Sequence, residues 1–466
     1  MRWTVKKPKG VFFTILQIFF LCSWCAACHP LKAQHIVQSY PYHGKPPFIV
    51  SENGPLSRTE SARLFAGLLP EADSSPLLGL HTAFVQDMTG SAIFAGNDLE
   101  LLHDGPATFD RMAKTIDHAQ DHINIETFIF RDDKIGHLFS DMLIKKSSEG
   151  VAVNLIYDGF GNRKTPTVFY ENMRASGVKA LEFNPFAPIE AALSDNNLNN
   201  RDHRKILVVD GKVAFTGGIN FYWENSTRTD AYGNRSIRPW RDTHIRIEGP
   251  AVTEFQRIFF ETWKAKNGPK LASANYFPIQ DSKGDLLVQI IADGPERGIS
   301  NIYMTYVSAI INARNSIHLT QSYLAPPEEM LALLEKAASS GVDVKIIAPS
   351  FSDFWLPFYA GRYNYTRLLR SGIRIFEFQN AMLHSKLGVF DGTWSIIGSA
   401  NLIPRSFFHD LEVETAVLGS TFASQMEANF IDDLSESKEV TLEDWENRPF
   451  KDKFLESFAQ LFRFLL

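Results

Sequence analysis

The sequence has only three cysteines, and all of them lie within its first 28 residues. Cys22, Cys25 and Cys28 belong to a segment that is typical of an export signal, so a chain cleaved there keeps at most one of them. Such a chain forms no internal disulfide, and its stability has to come from the packing of its core. The cysteine content therefore excludes the class of secreted domains that are held together by disulfides.

The sequence also lacks an excess of positive charge. It has 47 Lys and Arg residues against 53 Asp and Glu residues, which gives a formal net charge of −6. A protein that holds long nucleic acid needs a basic surface, so we expect no nucleic-acid partner. The hydrophobic share of 44% and the charged share of 21% are those of globular proteins. A chain of 466 residues is long enough for two domains with separate cores.

Residues 1–28 are typical of a bacterial export segment. Four Lys or Arg residues occur among the first ten residues, and the apolar run "VFFTILQIFFLCSW" follows them. Small residues precede Cys28, as at a lipoprotein cleavage site, although Cys25 stands where such sites usually carry Leu. Lipidation at Cys28, ordinary signal cleavage and an uncleaved anchor all remain open. We expect a protein exported by a bacterium and associated with the membrane on its periplasmic or outer side.

The rest of the chain follows one plan twice. Residues 29–90 are rich in Pro, Gly and Ser, so we expect a tether and an irregular lead-in there. Beyond them, helical segments alternate with short strands, and the strand "GVAVNLIYDG" has a later counterpart in "GVDVKIIAPS". This alternation predicts an α/β fold with two homologous domains, at residues 91–270 and 280–466, each a sheet with helices on both faces.

One motif occurs in both copies. It consists of a His, a Lys two residues later and an Asp five residues further on: His203, Lys205 and Asp210, then His384, Lys386 and Asp391. Each copy continues into Gly-(Gly/Ser)-x-Asn, which contains Asn220 in the first copy and Ser399 and Asn401 in the second. A single motif of this kind is compatible with an ordinary strand. Two copies with the same continuation indicate a functional site.

The residue types of this motif suit a phosphate rather than a metal ion. Side chains two residues apart on a strand project to the same face, so each Lys lies beside its His. An ammonium group repels a metal cation, and we therefore expect neither a metal nor another cofactor. The two lysines and the two asparagines can donate to phosphate oxygens, with Ser399 as a further donor. One imidazole can attack phosphorus while the other protonates the leaving oxygen.

Two carboxylates are candidates for orienting the histidines. Aligning "DTHIRIEGP" with "EVETAVLGS" places Asp242 over Glu412, so each copy offers a carboxylate after its Asn. A carboxylate bonded to one ring nitrogen fixes the tautomer of a histidine. Asp210 and Asp391 belong to the catalytic motif, but their position at a strand end before Gly favours a structural role. For Glu126, in "INIETFIF", a role near the site and a structural role remain equally open.

These segments resemble the phospholipase D superfamily, whose mark is a duplicated HxKxxxxD motif followed by GSxN, and most of all its bacterial cardiolipin synthases. The resemblance begins at about residue 95 and includes "DHRKILVVDGKVAFTGGIN", "MLHSKLGVFDG" and "GSANLIPRSF". It implies mixed sheets and an active site at the interface between the two domains. The chain departs from the family pattern at Asp410, where Asn is common, and at Gly218, where Ser is common. It also has one export-like segment where many such synthases have two membrane helices.

The resemblance implies metal-independent phosphatidyl transfer through a phosphohistidine. With phosphatidylglycerol as donor and acceptor, at a membrane surface, the products are cardiolipin and glycerol. A hydrolase of the same superfamily, acting as phosphodiesterase or nuclease, is the alternative, and an inactive lipid-binding protein is a third reading. We assign His203 as the nucleophile and His384 as the general acid, because Ser399 and Glu412 suit a histidine that becomes an imidazolium.

Two aromatic segments are candidates for membrane contact. "FSDFWLPFY", residues 351–359, places five aromatic residues after a predicted strand end, where sites of α/β proteins open. A buried helix start is the equally weighted alternative. The C-terminal segment "FKDKFLESFAQLFRFLL" has an apolar helical face. For this helix we expect packing into the core, with docking at a lipid interface as the second interpretation.

Overall fold

The structure, a computed structural model, describes residues 33–68, 77–185, 199–223, 239–294, 300–463 and 466. Its strands are, in chain order, β1 (Ile49–Ser51), β2 (Gly54–Pro55), β3 (Ile93–Asp104), β4 (His122–Thr127), β5 (Ala152–Asp158), β6 (Lys179–Phe183), β7 (Lys205–Val209), β8 (Val213–Gly217), β9 (Arg241–Glu248), β10 (Leu286–Asp293), β11 (Ser316–Gln321), β12 (Asp343–Pro349), β13 (Arg374–Phe378), β14 (Lys386–Phe390), β15 (Trp394–Gly398), β16 (Glu412–Leu418) and β17 (Ser437–Val440).

The α-helices of the same residues are α1 (Ala33–Gln38), α2 (Arg58–Ala66), α3 (Thr82–Thr89), α4 (Gly105–Asp117), α5 (Lys134–Ser148), α6 (Thr167–Ala175), α7 (Val252–Ala265), α8 (Asn301–Asn312), α9 (Glu328–Ser339), α10 (Trp355–Arg362), α11 (Tyr365–Arg370), α12 (Pro404–Phe408), α13 (Ser420–Ser435), α14 (Leu442–Glu446) and α15 (Phe450–Gln460). A short π-helix, Leu77–His81, leads into α3.

The two halves have the same strand order. In the first half the strands pair as β3-β9-β8-β7-β4-β5-β6, and only the last two pairings are parallel. The second half repeats this order as β10-β16-β15-β14-β11-β12-β13, and β17 adds an antiparallel edge. Both sheets are therefore mixed. The predicted fold class, two related α/β halves with mixed sheets, is confirmed.

Strand β3 joins the two sheets. Its beginning pairs with β10, from Ile93 opposite Gln289 to Asn97 opposite Leu286. Its later part, from Asp98 onward, pairs with β9 of its own half. Because one strand belongs to both ladders, backbone hydrogen bonds hold the halves together in addition to side-chain packing.

The sheets are covered on both faces. On β7, Leu207 and Val209 pack into a core with the helices of the first half, whereas Ile206 and Val208 face a core that contains residues of both halves. The alternation follows from the two-residue period of a strand. Helices α7 and α13 supply apolar side chains to the shared core, so the interface between the halves is a packed interior.

The lead-in differs from the irregular tether that we expected over residues 29–90. Helix α1, the π-helix and α3 are ordered, and Ala33, Val37, Leu77 and Phe84 are buried in the core of the second half. Each of these elements is short, so its few apolar residues give too little periodicity to be recognised in the sequence. Their burial against α8 makes this segment part of the folded unit.

The C-terminal helix also differs from its predicted packing. Helix α15 buries Glu456 and Ala459, but its most apolar side chains face outward. Phe450 is 82% exposed and Phe454 is 58% exposed. The expectation that its apolar face packs into the core is therefore wrong, because periodicity shows that such a face exists but not what covers it. Within the described residues, no helix is both long enough and apolar enough to cross a membrane.

Candidate active site

The two motif histidines lie at the seam between the halves, each just before its strand. His203 donates its backbone N–H to the Leu411 carbonyl at 2.9 Å, and Leu411 donates in turn to the Arg201 carbonyl at 2.7 Å. In the second half, His384 donates its backbone N–H to the Arg241 carbonyl at 2.7 Å. Each histidine segment therefore runs beside the segment that leads to the carboxylate of the other half.

This arrangement pairs the histidines and carboxylates across the seam. The Nδ1 atom of His384 lies 2.7 Å from Oδ2 of Asp242, which belongs to the first half. The Nδ1 atom of His203 lies 3.0 and 3.1 Å from the two carboxylate oxygens of Glu412, which belongs to the second half. Our pairing of Glu412 with His384 is therefore wrong. Each half supplies the carboxylate that orients the histidine of the other.

Burial sets the protonation of the four groups. It lowers the pKa of His203 to about 4, although the Glu412 carboxylate opposes this change. Burial, assisted by the Lys386 ammonium, also lowers the pKa of His384. Burial alone would raise the pKa of Asp242 and of Glu412, but the histidine beside each one brings the pKa below its usual value. At neutral pH the resting His203 is therefore a neutral imidazole, and a carboxylate anion orients each histidine.

The two motif lysines are buried beside their histidines. Burial lowers the pKa of Lys205 to about 7 and the pKa of Lys386 to about 8. Each ammonium group donates to the backbone carbonyl of its own histidine, and Lys386 also donates to Oγ of Ser322 at 2.9 Å. A phosphate anion that enters the site favours the charged form of both lysines. Lys205 and Lys386 are therefore suited to binding the phosphate group of a substrate.

Ser399, predicted to bind substrate, supports Glu412 instead. Its hydroxyl donates to Oε2 of Glu412 at 2.5 Å and accepts the Val413 N–H at 3.0 Å. The first half has Gly218 at the matching position, where an added Cβ would lie 2.0 Å from Oδ1 of Asp242. Asp242 has a shorter side chain than Glu412, and its carboxylate occupies the space that the Ser399 side chain fills in the second half.

The two predicted substrate-binding asparagines are fixed by the protein through their side-chain oxygens. Oδ1 of Asn220 accepts the Ile129 N–H at 3.2 Å, and Oδ1 of Asn401 accepts the Ser322 hydroxyl at 2.6 Å. These bonds set the orientation of each amide. Since Ser322 also accepts from Lys386, Asn401 belongs to the same hydrogen-bond chain as the second motif lysine.

The motif aspartates lie at the other end of the motif strands. Asp210 has a φ of 51° and accepts three backbone N–H groups, from residues 120–122, at 2.8 to 3.0 Å. Asp391 has the same φ and accepts the N–H groups of residues 314–316. Each aspartate fixes the start of the neighbouring strand. The structure therefore gives these residues a structural position, away from the histidines.

Sequence reasoning missed three aromatic residues beside the histidines. The Phe128 ring lies 4.9 Å from the His203 ring, and the Trp240 ring lies 5.4 Å from the His384 ring. Tyr323 lies 6.4 Å from His384, and its hydroxyl donates to Asp353 at 2.6 Å. Phe128 and Tyr323 follow the ends of β4 and β11, and this position after a strand end was the signal that could have identified them.

Glu126 belongs to a buried network rather than to the histidine pair. Its Oε1 atom accepts from Thr262 at 2.8 Å and from Nη1 of Arg204 at 3.3 Å. Arg204 also donates to the Asp293 carbonyl at 2.8 Å, which connects the network to the second half. The position of Glu126 favours the structural interpretation. Cys28 lies outside the described residues.

Two solved structures share the fold. The phosphatidylserine synthase of Haemophilus influenzae Rd KW20 matches with a TM-score of 0.57 and 16% identity, over 79% of this chain and 95% of that chain. The polyphosphate kinase of Porphyromonas gingivalis matches with a TM-score of 0.50 and 13% identity, over 79% of this chain and 54% of that one. At these identities the similarity is one of fold.

The sequence comparisons are more specific. The family model described as "Cardiolipin synthase, PLD-like domain" matches residues 112–263 and 306–434. Cardiolipin synthase of Geobacillus thermodenitrificans is 34% identical over 368 residues, which cover 78% of this chain and 72% of that protein. Cardiolipin synthase 1 of Bacillus cereus is 33% identical over 395 residues, covering 83% and 76%. The chain therefore belongs to the cardiolipin synthase family of proteins with PLD-like domains.

Proposed function

We infer that this protein is a phosphatidyltransferase of the cardiolipin-synthase type, which converts two molecules of phosphatidylglycerol into cardiolipin and glycerol. The observation that carries this conclusion is the pair of histidines at the seam, each oriented by the carboxylate of the other half at 2.7 Å and 3.0 Å. Two oriented imidazoles beside two lysines supply a nucleophile, an acid and an anion site without further groups. The membership of the family supports the choice of substrate.

We assign His203 as the nucleophile and His384 as the general acid. His203 has a pKa of about 4, so it is neutral and carries a free electron pair on Nε2 at neutral pH. His384 has the shorter bond to its carboxylate, and Asp353 further favours its charged form. The Asp242 carboxylate stabilises the imidazolium of His384 better than Glu412 would stabilise that of His203. The reason is that Glu412 also accepts a hydrogen bond from Ser399. The roles of the two histidines are thus the ones expected from the sequence, but the reason is the bond between His384 and Asp242 rather than a bond to Glu412.

In the first step, Nε2 of His203 attacks the phosphorus of phosphatidylglycerol. The bond between phosphorus and the glycerol oxygen breaks, and that oxygen takes the proton of the His384 imidazolium, so glycerol leaves. The product is a phosphatidyl group bound to His203, while His384 becomes neutral. Lys205 and Lys386 stabilise the negative charge on the non-bridging oxygens throughout this step.

In the second step, a hydroxyl of another phosphatidylglycerol attacks the same phosphorus. Neutral His384 takes the proton of this hydroxyl, the bond between phosphorus and His203 breaks, and cardiolipin leaves. His203 returns to its neutral form and His384 to its imidazolium. If water attacks instead, the product is phosphatidic acid, so the same groups can support hydrolysis.

The test offers phosphatidylglycerol in mixed micelles to the purified protein and separates the lipid products. The proposal predicts cardiolipin and free glycerol in equal amounts. Phosphatidic acid without cardiolipin would contradict the synthase and indicate a hydrolase. Degradation of single-stranded DNA in the presence of EDTA, without turnover of phospholipid, would indicate a nuclease of the same superfamily.

We also propose that residues 1–28 direct export and attach the protein to the membrane on the periplasmic or outer side. The basic start, the apolar run and the small residues before Cys28 support this proposal. Cells fed a labelled fatty acid should incorporate it into the wild-type protein and not into Cys28→Ser. Equal labelling of both proteins would contradict lipidation at this cysteine.

A further inference from the structure

Exposed apolar side chains form a patch on the second half. We call this the aromatic patch; it consists of Phe354, Trp355, Phe450, Phe454, Phe458 and Leu461. Its members come from the start of α10 and from one face of α15, at helical spacing. The Trp355 ring stacks on Phe458 at 6.5 Å, and Phe458 stacks on Phe454 at 6.3 Å. These contacts join Trp355, Phe458 and Phe454, so the two helices contribute to one surface.

The aromatic patch continues into the proposed active site. Tyr323, whose ring lies 6.4 Å from His384, donates its hydroxyl to Asp353 at 2.6 Å. Phe354 and Trp355 follow Asp353 directly in the chain. Beneath them, α10 and α15 share a small core that also contacts Tyr323. A molecule held on the patch is therefore held close to the second histidine.

The charges around the patch suit an anionic partner. Lys451 is exposed one residue after Phe450, and Arg463 is exposed two residues after Leu461. Neither forms an ion pair with any residue that the structure describes. Asp452 is half-buried, and at its spacing from Phe450 it lies on the opposite side of α15. On its α15 side the patch is therefore flanked by unpaired positive charge, and the exposed Asp353, which accepts from Tyr323, lies at its α10 edge.

The first half has two exposed rings of its own, each beside a cation. Nζ of Lys134 lies 4.6 Å from the ring centroid of Trp223, and the Arg163 guanidinium lies 4.3 Å from that of Phe160. Both rings are 38% exposed. Trp223 follows Tyr222, which contacts Trp240 beside His384. Pairs of an aromatic ring and a cation are common where a protein meets lipid headgroups.

We propose that the aromatic patch docks on an anionic lipid bilayer and holds the active site against the headgroups. The proposal rests on the proposed function, because a lipid substrate is what requires such a surface. Phenylalanine and tryptophan side chains enter the boundary between headgroups and acyl chains, and the flanking cations contact the lipid phosphates. The headgroup of a substrate lipid can then reach the histidines while its acyl chains stay in the membrane.

The first experiment measures docking without catalysis. An environment-sensitive dye is attached to Phe454→Cys in a full chain whose three native cysteines are changed to serine, which also removes lipidation at Cys28. Vesicles of phosphatidylglycerol should shift the dye emission to the blue, and vesicles of phosphatidylcholine should shift it less. The matched control carries the dye at Ile279→Cys, which is 89% exposed and lies outside the patch. Equal shifts at both positions would overturn the proposal.

Two other occupants have their own signature in this experiment. Without vesicles, the dye at Phe454→Cys could emit further to the blue than the dye at Ile279→Cys. A difference that grows with protein concentration would indicate that a second copy covers the patch. A blue shift without vesicles that is independent of concentration would indicate that the apolar N-terminal run covers it. Either result would overturn docking on lipid.

The second experiment compares two forms of substrate. Phe450→Glu with Leu461→Glu changes side chains that are 82% and 64% exposed, so the fold should be retained. This variant should lose about a hundredfold in turnover of vesicle phosphatidylglycerol, because two large side chains leave the lipid and each costs about one factor of ten. Turnover of a short-chain phosphatidylglycerol below its micelle concentration should stay unchanged. The control, Ile279→Glu with Ile431→Glu, has similar exposure, 89% and 61%, and should resemble wild type in both assays.

The outcomes separate this proposal from the proposed function. An equal loss on both substrates, or no loss on vesicles, would overturn the docking surface while leaving the enzyme intact. A wild-type protein that turns over neither form of substrate, yet shows the dye shift, would contradict the proposed function and support the surface.

Discussion

The histidine of one half bonds to the carboxylate of the other half, and this exchange makes the site depend on both copies. His384 bonds to Asp242, and His203 bonds to Glu412. Neither half contains a complete pair. A duplicated chain could have kept two independent sites, but here each copy supplies a part that the other lacks. The crossed pairing therefore explains why both motifs are retained in one chain.

A titration of the histidines tests the crossed pairing directly. Glu412→Gln removes a carboxylate that raises the pKa of His203, so we expect the pKa of His203 to fall further while that of His384 hardly changes. Asp242→Asn should likewise lower the pKa of His384 and leave the pKa of His203 nearly unchanged. Nitrogen-15 NMR of labelled histidine rings measures both values, with resonances assigned through single His→Gln variants. A larger change at His384 than at His203 in Glu412→Gln would contradict the exchange.

A second prediction at this scale concerns Gly218 and Ser399, which occupy matching positions. Gly218→Ser places a Cβ within 2.0 Å of the Asp242 carboxylate, which has to move away from His384. We expect this variant to lose ~10²–10⁴-fold in kcat, the range for a displaced acid–base group. Ser399→Gly removes one hydrogen bond to Glu412 and should lose about tenfold or less.

Steady-state kinetics of Gly218→Ser and Ser399→Gly decides this prediction, and circular dichroism establishes that both are folded. Full activity of Gly218→Ser together with loss of activity in Ser399→Gly would contradict the positions described for the two carboxylates.

At the scale of single elements, the motif strands connect chemistry at one end with structure at the other. Strand β7 begins at Lys205, beside the histidine, and is followed by Asp210, whose carboxylate fixes the start of β4. Strand β14 has the same arrangement with Lys386 and Asp391. The spacing of the motif is thus a strand of five residues, with the histidine two residues before it and the aspartate in the turn directly after it.

We expect Asp210→Ala to destabilise the fold rather than to remove a catalytic group. The variant loses three hydrogen bonds from backbone N–H groups to a carboxylate, and Ala tolerates a φ of 51° poorly. A cost of about 3 kcal/mol in the free energy of unfolding is expected. Asp210→Asn keeps acceptor capacity and tolerates this backbone, so it serves as the mild control.

Urea unfolding and activity per folded molecule measure the two effects separately. A stable Asp210→Ala protein with no activity would contradict the structural role of this residue.

Much of the element pattern was predictable from local sequence. The segments "GVAVNLIYDG" and "GVDVKIIAPS" predicted corresponding strands in the two halves, and the structure has β5 and β12 there. The exchange of carboxylates was not predictable, because it depends on how the seam brings Leu411 beside Arg201. The exposure of Phe450 and Phe454 was not predictable either, since a helical period does not show whether protein covers the apolar face.

At the scale of the whole molecule, the seam between the halves contains a buried acid where the family commonly has Asn. Burial raises the pKa of Asp410 to about 8 in spite of the Arg405 guanidinium 3.1 Å away. The carboxyl group is therefore mostly protonated at neutral pH, and in this form it resembles an amide in shape. This explains how the chain accommodates the departure from the family pattern without disturbing Glu412.

The stability of the protein should consequently fall as the pH rises from about 4 to the pKa of Asp410, and this contribution should level off above that pKa. The folded state holds this proton up to a pH of about 8, whereas the unfolded state releases it near ~4, so raising the pH between these values favours unfolding. Asp410→Asn should remove this dependence and be up to about 5 kcal/mol more stable than wild type at pH 8, since the two pKa values differ by about four units and one unit corresponds to ~1.4 kcal/mol.

Thermal unfolding of wild type and Asp410→Asn between pH 5 and 9 measures the difference. Curves of the two proteins that stay parallel across this range would contradict a raised pKa at the seam.

The central claim is that one histidine carries the phosphatidyl group while the other serves as the acid, and trapping the covalent intermediate tests it most directly. A phosphatidyl donor with an activated leaving group needs no acid in the first step, so His384→Ala should still react and become labelled. Rapid quenching followed by mass spectrometry of peptides under alkaline conditions should find the phosphatidyl group on His203. His203→Ala should carry no label. Label on His384 in the His203→Ala protein would reverse the two roles, and the absence of a labelled histidine in the wild-type protein and in both variants would contradict the covalent mechanism.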